Sequence, residues 1–447
     1  MLSSDAQSSS DRLGKTFLIV FCVSLSLRLL VFLLMSTQVE QAALPKLIID
    51  SENYVTAADE IRENFRFNAY TLNIFGPGYP TFLAVLRTIT MAPRFITLIQ
   101  ILLSALGSVA LALFAWELTR DKVIAMLAGL MHATSIASIA LSNLVMSDSV
   151  FFFILISAMV LFVTGLRTDQ WRYYLPAAIL FGIAPLFRSI GVFFFGPLLI
   201  ITVVLLWPRG GETWKEKRMR FLRPMVMIGM ALLIVGAWIG RERGPVEPPV
   251  AYSSYIGMYK VAALTRARID NIDYSEADVQ MVGELKEMLP DYDNKFYWAF
   301  MVLSKTELIR MFKSYPLTTI GIILTNAVDK ANNSRTELWR CLPRQALPIN
   351  LVEKFLGQSG LNYRVGLLSI IGLVMLIRRK RYRVAIILSV VYIYFAVLSG
   401  FTLNTGNRIF LPGQIAWTIL CAYPILAAID LLRNRIRKAP KVQPIDG

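Results

Sequence analysis

The sequence holds a single histidine, His132, and only three cysteines in 447 residues. Cys22 and Cys421 fall inside apolar runs and Cys341 lies between runs, which leaves no disulfide framework. The same scarcity argues against a Cys/His metal site. His132 itself sits within an apolar run and reads as a packed helix residue. Short segments of alternating hydrophobicity are missing, so a membrane β-barrel is excluded. No internal repeat is visible, so the inverted-repeat signature of many transporters is missing as well.

What the chain has instead is apolar length. It is 55% hydrophobic with a mean hydropathy of +0.55, beyond the range of a soluble protein of this size. Apolar runs lie at 16–36, 95–118, 122–141, 147–166, 173–189, 190–207, 221–240, 362–377, 384–400 and 408–432. Read as helices, such runs cross a hydrocarbon core of ~30 Å. The expected fold is an all-α polytopic membrane protein of about ten spans (ten to thirteen at the outside), with juxtamembrane helices on one face. The run 16–36 exceeds a typical signal-peptide core and has no convincing cleavage site after it, so it is read as an uncleaved first span.

The formal net charge is +16, and in a soluble chain that excess would suggest a nucleic-acid partner. Here the basic residues sit in short segments between apolar runs, as the positive-inside rule produces, and no nucleic acid is expected. Residues 208–223 hold six Lys/Arg, 378–383 hold five, and 433–441 hold five, which places all three segments in the cytoplasm. Counting spans from them puts Arg120, Lys122, Arg167, Arg172 and both termini on that side too. The opposite, outer face receives two large segments. One is 37–78, with six acidic and three basic residues, and the other is 241–361, with 121 residues. Connections of that length in a compact protein are usually functional. Residues 79–91 and 314–331 are read as helices at the outer interface rather than as spans. The chain thus divides into a 1–240 transmembrane module carrying the first outer loop 37–78, an outer region 241–361, and final spans with a basic tail over 362–447.

Candidate chemistry lies on the outer side. If the first outer loop is helical around residue 50, Asp50 and Tyr54 share a face at i, i+4, and Ala57 and Ala58 permit close packing. The loop closes on Phe75-Gly76-Pro77-Gly78-Tyr79-Pro80, a rigid turn. Asp50 is placed to act as a general base on a hydroxyl acceptor, or else to cap or solvate an interfacial helix. Asp148, at the outer end of a span, is read first as an N-cap and second as another acid over the same surface. Arg188, Arg241, Arg243 and Arg408 all fall at outer helix ends, against the positive-inside rule. Their guanidinium groups suit an anionic phosphate, or else pair with Glu242, Asp148 or lipid head groups.

Four marks give the chain a family resemblance. They are Asp50, Tyr54 and Ala57 in the first outer loop; Pro77-Gly78-Tyr79-Pro80 followed by Phe82-Leu83-Ala84; Trp238 with Arg241; and Arg408 with Pro412. In their order and topology they resemble the GT-C glycosyltransferases, in particular the group of bacterial aminoarabinose transferases and protein O-mannosyltransferases. The resemblance implies a membrane enzyme that moves a sugar from a polyprenyl-phosphate donor to a lipid, glycan or protein acceptor, with inversion. It implies Asp50 as catalytic base, Glu52, Tyr54 and Asp148 as companions, Tyr79 and Trp238 as substrate contacts, and Arg188, Arg241, Arg243 and Arg408 on the donor phosphate. Ser51 stands where such enzymes often carry another acid, with Glu52 one place later, and Glu242 stands where Asn is common. No cofactor is required, because fixed arginines neutralise a leaving phosphate; a Mg²⁺ or Mn²⁺ ion between Asp50 and Asp148 is the alternative. Membrane lipids are the surrounding partner, in a bacterial inner membrane with both ends cytoplasmic, as a monomer or an oligomer of unknown order. A transporter or flippase of a lipid-linked glycan is the second reading. It calls for ionisable residues and discontinuous helices near the midplane, whereas Arg28 and Asp430 are expected nearer the inner ends.

Overall fold

The computed structural model describes residues 4–38, 49–65, 76–206, 214–240, 252–288, 296–332, 363–401 and 411–438, and within these the regular structure is helical. Helix α1 (Ser4–Gln38) is followed by two short helices, α2 (Ile49–Asn64) and α3 (Gly78–Ile89). The main bundle continues with α4 (Pro93–Thr119), α5 (Lys122–Ala133), α6 (Ile136–Ser142), α7 (Asp148–Thr168) and α8 (Trp171–Phe187). A 3-10 turn at Ser189–Phe194 leads into α9 (Phe195–Leu206), and α10 (Trp214–Ile239) comes next. Four helices form a second group: α11 (Tyr252–Asp270), α12 (Tyr274–Met288), α13 (Phe296–Ser314) and α14 (Pro316–Asn332). The chain closes with α15 (Tyr363–Arg378), α16 (Tyr382–Gly400) and α17 (Gln414–Lys438).

The ten expected runs are helical in whole or in part among the described residues, yet the count of ten is not reached by length and composition. Seven segments are long and apolar enough to cross a membrane: Leu13–Ser36, Pro93–Thr119, Asp148–Thr168, Ser189–Leu206, Arg220–Ile239, Tyr382–Gly400 and Leu411–Asn434. The run expected at 122–141 is instead broken into α5 and α6, bent by 55°. The break falls at Thr134-Ser135, where the Thr134 hydroxyl turns back to the Leu130 carbonyl at 2.9 Å and Ser135 caps the new helix from its side chain. Helices α8 and α15 have 17 and 16 residues and fall short of that length. The chain is a multi-pass membrane protein of α-helical class.

Burial orders the bundle. Helices α4 and α7 pack along one another at its centre, α8 packs on α7, and α10 packs on α8. Every residue from Leu411 to Tyr423 is buried, so the first half of α17 is interior rather than lipid-facing. The basic segments gather at one end. There Arg120 and Arg167 both reach Glu117, Arg223 pairs with Asp169 at 2.6 Å, and Arg381 donates to the Thr119 carbonyl at 2.7 Å. At the opposite end Arg94 donates to the Ser36 carbonyl at 3.0 Å, and α2 and α3 pack together there. The bidentate bond of Arg87 to Asp59, at 2.9 and 2.8 Å, ties these two short helices to each other.

At 12 residues, α3 is about 18 Å long and cannot cross the core. Helix α14 is likewise short and apolar; it lays Ile323 and Ala327 inward and leaves Leu317 (84% exposed), Ile320 and Leu324 on an open stripe. Helices α11 to α14 bury their own core of Tyr259, Val261, Ala262, Met281, Leu303 and Met311. Arg266 on α11 bonds Glu284 on α12 at 2.7 Å, which pulls the Glu284 carboxyl below the usual range.

Candidate active site

The first-loop helix α2 begins with Asp50 and Glu52 in its first turn, where the helix dipole favours carboxylates. Its inward stripe of Tyr54, Ala57, Ala58 and Ile61 is buried, as is Ser51, while Glu52 is exposed and Asp50 half-buried. The Ser51 hydroxyl meets Met146 Sδ at 3.4 Å, and the Tyr54 hydroxyl meets Ser147 Oγ at 3.1 Å. These contacts dock α2 on the segment that enters α7, so Asp50 stands one residue from a contact with the approach to Asp148.

Tyr79 braces the docking from α3. Its ring lies edge-on to Tyr54 with centroids 4.7 Å apart, and its hydroxyl donates to Gln100 Oε1 on α4. The Gln100 amide in turn donates to the Leu144 carbonyl at 2.6 Å. Tyr79 is fully buried between these partners. The Gly-Pro-Gly turn before it is pressed onto the end of α8. A Cβ at Gly76 would strike the Leu186 carbonyl oxygen, and one at Gly78 would come 2.5 Å from the Phe187 ring. Gly76 also has φ +85°, the left-handed region that glycine enters without strain. Gly76→Ala is therefore expected to cost about 2–4 kcal/mol from strain and clash together. Thermal melting in detergent checks it, and an unshifted melting temperature would show that the turn is not fixed against α8.

Asp148 and Arg188 form a buried ion pair, with side chains 1% and 11% exposed. Asp148 is not the N-cap that its position suggests; Ser147 holds that place without a side-chain cap bond, and Asp148 is the first helical residue. Arg188 is the C-cap of α8 in extended conformation. The acid thus sits at a helix N-terminus and the base at a helix C-terminus, where each dipole favours it. Of the two readings open for Arg188, pairing with Asp148 is the contact seen.

The profile of the dolichyl-phosphate-mannose-protein mannosyltransferase family matches residues 90–241, about a third of the chain, from just before α4 to just past the end of α10. That stretch contains Asp148 and Arg188. Archaeal oligosaccharyltransferase AglB from Archaeoglobus fulgidus, solved with an inhibitory peptide and a dolichol-phosphate, superposes with a TM-score of 0.57 at 15% identity, over 97% of this chain and 52% of AglB. The apo form of the A. fulgidus oligosaccharyltransferase gives 0.54 at 12% identity, over 95% and 51%. Its complex with Zn and sulfate gives 0.54 at 14%, over 94% and 50%. The chain has a GT-C fold.

It spans about half the length of those solved structures, and no curated protein matches it. Within the GT-C frame, Trp238 lies in the last turn of α10, half-buried against the main core. Arg241, Glu242, Arg243 and Arg408 lie outside the described residues. Among the described residues no three Asp, Glu, His or Cys side chains gather as a cation site, and the Asp148 carboxylate is engaged by Arg188. His132 is packed, as expected, with Nδ1 2.8 Å from Ser108 Oγ and its ring stacked on Phe152. Sequence reading passed over Ser147 and Gln100, which join α2 and α3 to the Asp148 segment. Gln100 carried a signal, because Gln100, Ser104 and Ser108 recur at intervals of four within an otherwise apolar run.

Proposed function

We propose that the chain is a glycosyltransferase that moves a sugar from a polyprenyl-phosphate donor to an acceptor hydroxyl or amide at the Asp50–Asp148 end of the bundle. The observation that supports the reading is the docking of α2, through Ser51 and Tyr54, on residues 146–147 just before the buried Asp148–Arg188 pair, in a GT-C fold. The family name and the dolichol-phosphate bound to archaeal AglB support a lipid-phosphate donor. Asp50 accepts the acceptor's proton as the acceptor attacks the anomeric carbon. The bond from that carbon to the phosphate oxygen breaks on the opposite face, inverting the configuration. The polyprenyl phosphate leaves with its charge met by guanidinium groups, for which Arg188, Arg241, Arg243 and Arg408 are the candidates. Tyr54 and Tyr79 serve the placement of Asp50, and Trp238, three positions before Arg241 in the chain, is the candidate substrate contact.

The gathering of basic segments at the other bundle end supports a cytoplasmic placement of that end and of both termini, with the site facing outward from a bacterial inner membrane. The acceptor is a lipid, glycan or protein. A Mg²⁺ or Mn²⁺ ion between Asp50 and Asp148 would compete with Arg188 for Asp148, so turnover is expected to survive EDTA.

A flippase reading gains two observations, since α5 and α6 form a discontinuous helix and Arg28 lies past the midpoint of the Leu13–Ser36 span, not near its inner end. The Arg28 guanidinium is, however, wholly enclosed and bonded within the bundle. Protein reconstituted with labelled polyprenyl-phosphate sugar decides the matter. Release of polyprenyl phosphate with the label on an acceptor is expected; relocation of intact donor would sink the transferase reading. Activity lost in EDTA and restored by Mn²⁺ would reassign Asp148 to a metal.

A further inference from the structure

Arg28 is 0% exposed, and among the described residues no carboxylate lies within ion-pair distance of it. A cation so enclosed costs solvation that no described carboxylate offsets. Among the described residues its donors are met by neutral groups. Nε bonds Ser104 Oγ on α4 at 2.9 Å, Nη1 bonds Ser24 Oγ at 2.6 Å and the Ser24 carbonyl at 3.1 Å, and Nη2 bonds Ser138 Oγ on α6 at 2.7 Å. The remaining partner is the Ala133 carbonyl at 3.1 Å. Ala133 is the last residue of α5, so this is one of the carbonyls that a helix end leaves unpaired and partly negative. One guanidinium therefore holds both sides of the α5–α6 break against α1 and α4.

The break connects to the candidate site in two directions. Asn143, the residue that ends α6, donates to the Ile139 carbonyl at 2.9 Å and lies 3.4 Å from the Arg28 carbonyl. From there the chain runs through Leu144, which Gln100 holds, to Ser147, which Tyr54 meets, and to Asp148. In the second direction, Gln414 at the start of α17 donates to Ser135 Oγ at 2.7 Å. Leu411 packs there with Ala137 and Leu141 of α6, three residues after Arg408.

We propose that Arg28 is a positioning residue: it fixes the bend between α5 and α6, and through α6 it sets both the segment that enters Asp148 and the start of α17. The inference rests on the transferase reading only for its effect on turnover. The serines around the guanidinium are already cross-linked, Ser24 to Ser108 at 2.8 Å and both Ser108 and Ser138 to His132, so they keep partners when it is removed. A neutral apolar side chain of similar length should then leave the bundle as stable or more so, because the desolvation cost is gone.

The test is Arg28→Met in the full chain, in detergent or nanodiscs. The melting temperature is expected to be unchanged or raised, while amide exchange over 134–147 quickens by about tenfold or more and α4 and α7 stay protected. The kcat is expected to fall by about 10- to 100-fold with KM little changed, since misplacement of a catalytic group by an ångström costs that much. Exchange over 134–147 equal to wild type would overturn the proposal whatever the activity. A wild-type protein that transfers no sugar would sink the transferase reading and leave the exchange result to judge Arg28. Should Arg28→Met fail to fold, Ser138→Ala removes the guanidinium's contact to α6 together with the Ser138–His132 bond and leaves the Ala133 contact in place; the same local quickening is expected, and its absence would equally overturn the proposal.

Discussion

Asp50→Asn is expected to lower kcat for sugar transfer by about 10²–10⁴-fold while the protein inserts and folds as wild type does. The change keeps the shape of the side chain and removes only its ability to take a proton. Stability should move by no more than the ~0.3–1 kcal/mol that a carboxylate in a first helical turn contributes, because Tyr54, Ala57 and Ala58 in the buried stripe, Ser51 on Met146, and the Asp59–Arg87 bridge to α3 dock α2. Glu52 is the internal control. It is exposed on the same first turn, and Glu52→Gln is expected to change kcat by no more than roughly threefold, as surface substitutions do. Single-turnover assays with labelled donor separate the two variants. Wild-type turnover in Asp50→Asn, or a larger loss in Glu52→Gln, would move the base away from Asp50.

The spans were legible because a run of apolar residues longer than 18 or so has few places to go except a bilayer or a large core. Their bends and burial were not. The polar pair Thr134-Ser135 inside 122–141 marks the break, yet the same residues sit without one in many membrane helices by bonding back to the preceding turn. That α17 is buried from Leu411 to Tyr423 depends on which helices surround it, and its apolar composition would equally suit contact with lipid. On the site, the i, i+4 spacing put Asp50 and Tyr54 on one face only if the loop was helical, and α2 supplies that helix with Tyr54 on its docked side. The Pro-Gly-Tyr-Pro turn foretold rigidity but not its cause, which is the end of α8 lying against Gly76 and Gly78. The Asp148–Arg188 pair joins residues forty positions apart through the α7–α8 hairpin, and no local pattern encodes such a contact. Arg28 was visible as a charge in an apolar run, with Ser24 one turn before it. Its partners on α4 and α6 came only with the fold.

That pair supplies the largest expected effect on stability. Arg188→Met leaves the Asp148 carboxylate buried without its cation, and breaking a buried pair from one side costs about 3–5 kcal/mol. The double variant Asp148→Asn with Arg188→Met removes both charges and should recover most of that loss, because neutral side chains in the same place carry no desolvation debt. Melting temperatures of the single and double variants in one detergent measure the difference. Equal melting temperatures for the two would mean that the carboxylate finds another partner once Arg188 is gone. Catalysis then separates structure from chemistry. If Arg188 only holds Asp148 in place, the refolded double variant still transfers sugar from polyprenyl phosphate with an affinity near that of wild type. If the guanidinium also meets the leaving phosphate, the double variant is stable yet weak in donor binding, since a charge-assisted contact to phosphate contributes about 1.5–3 kcal/mol. The second outcome is expected, because Arg188 sits at the C-terminal end of α8 with three N–H groups on the two nitrogens beyond the one engaged by Asp148, at the bundle end where α2 brings Asp50.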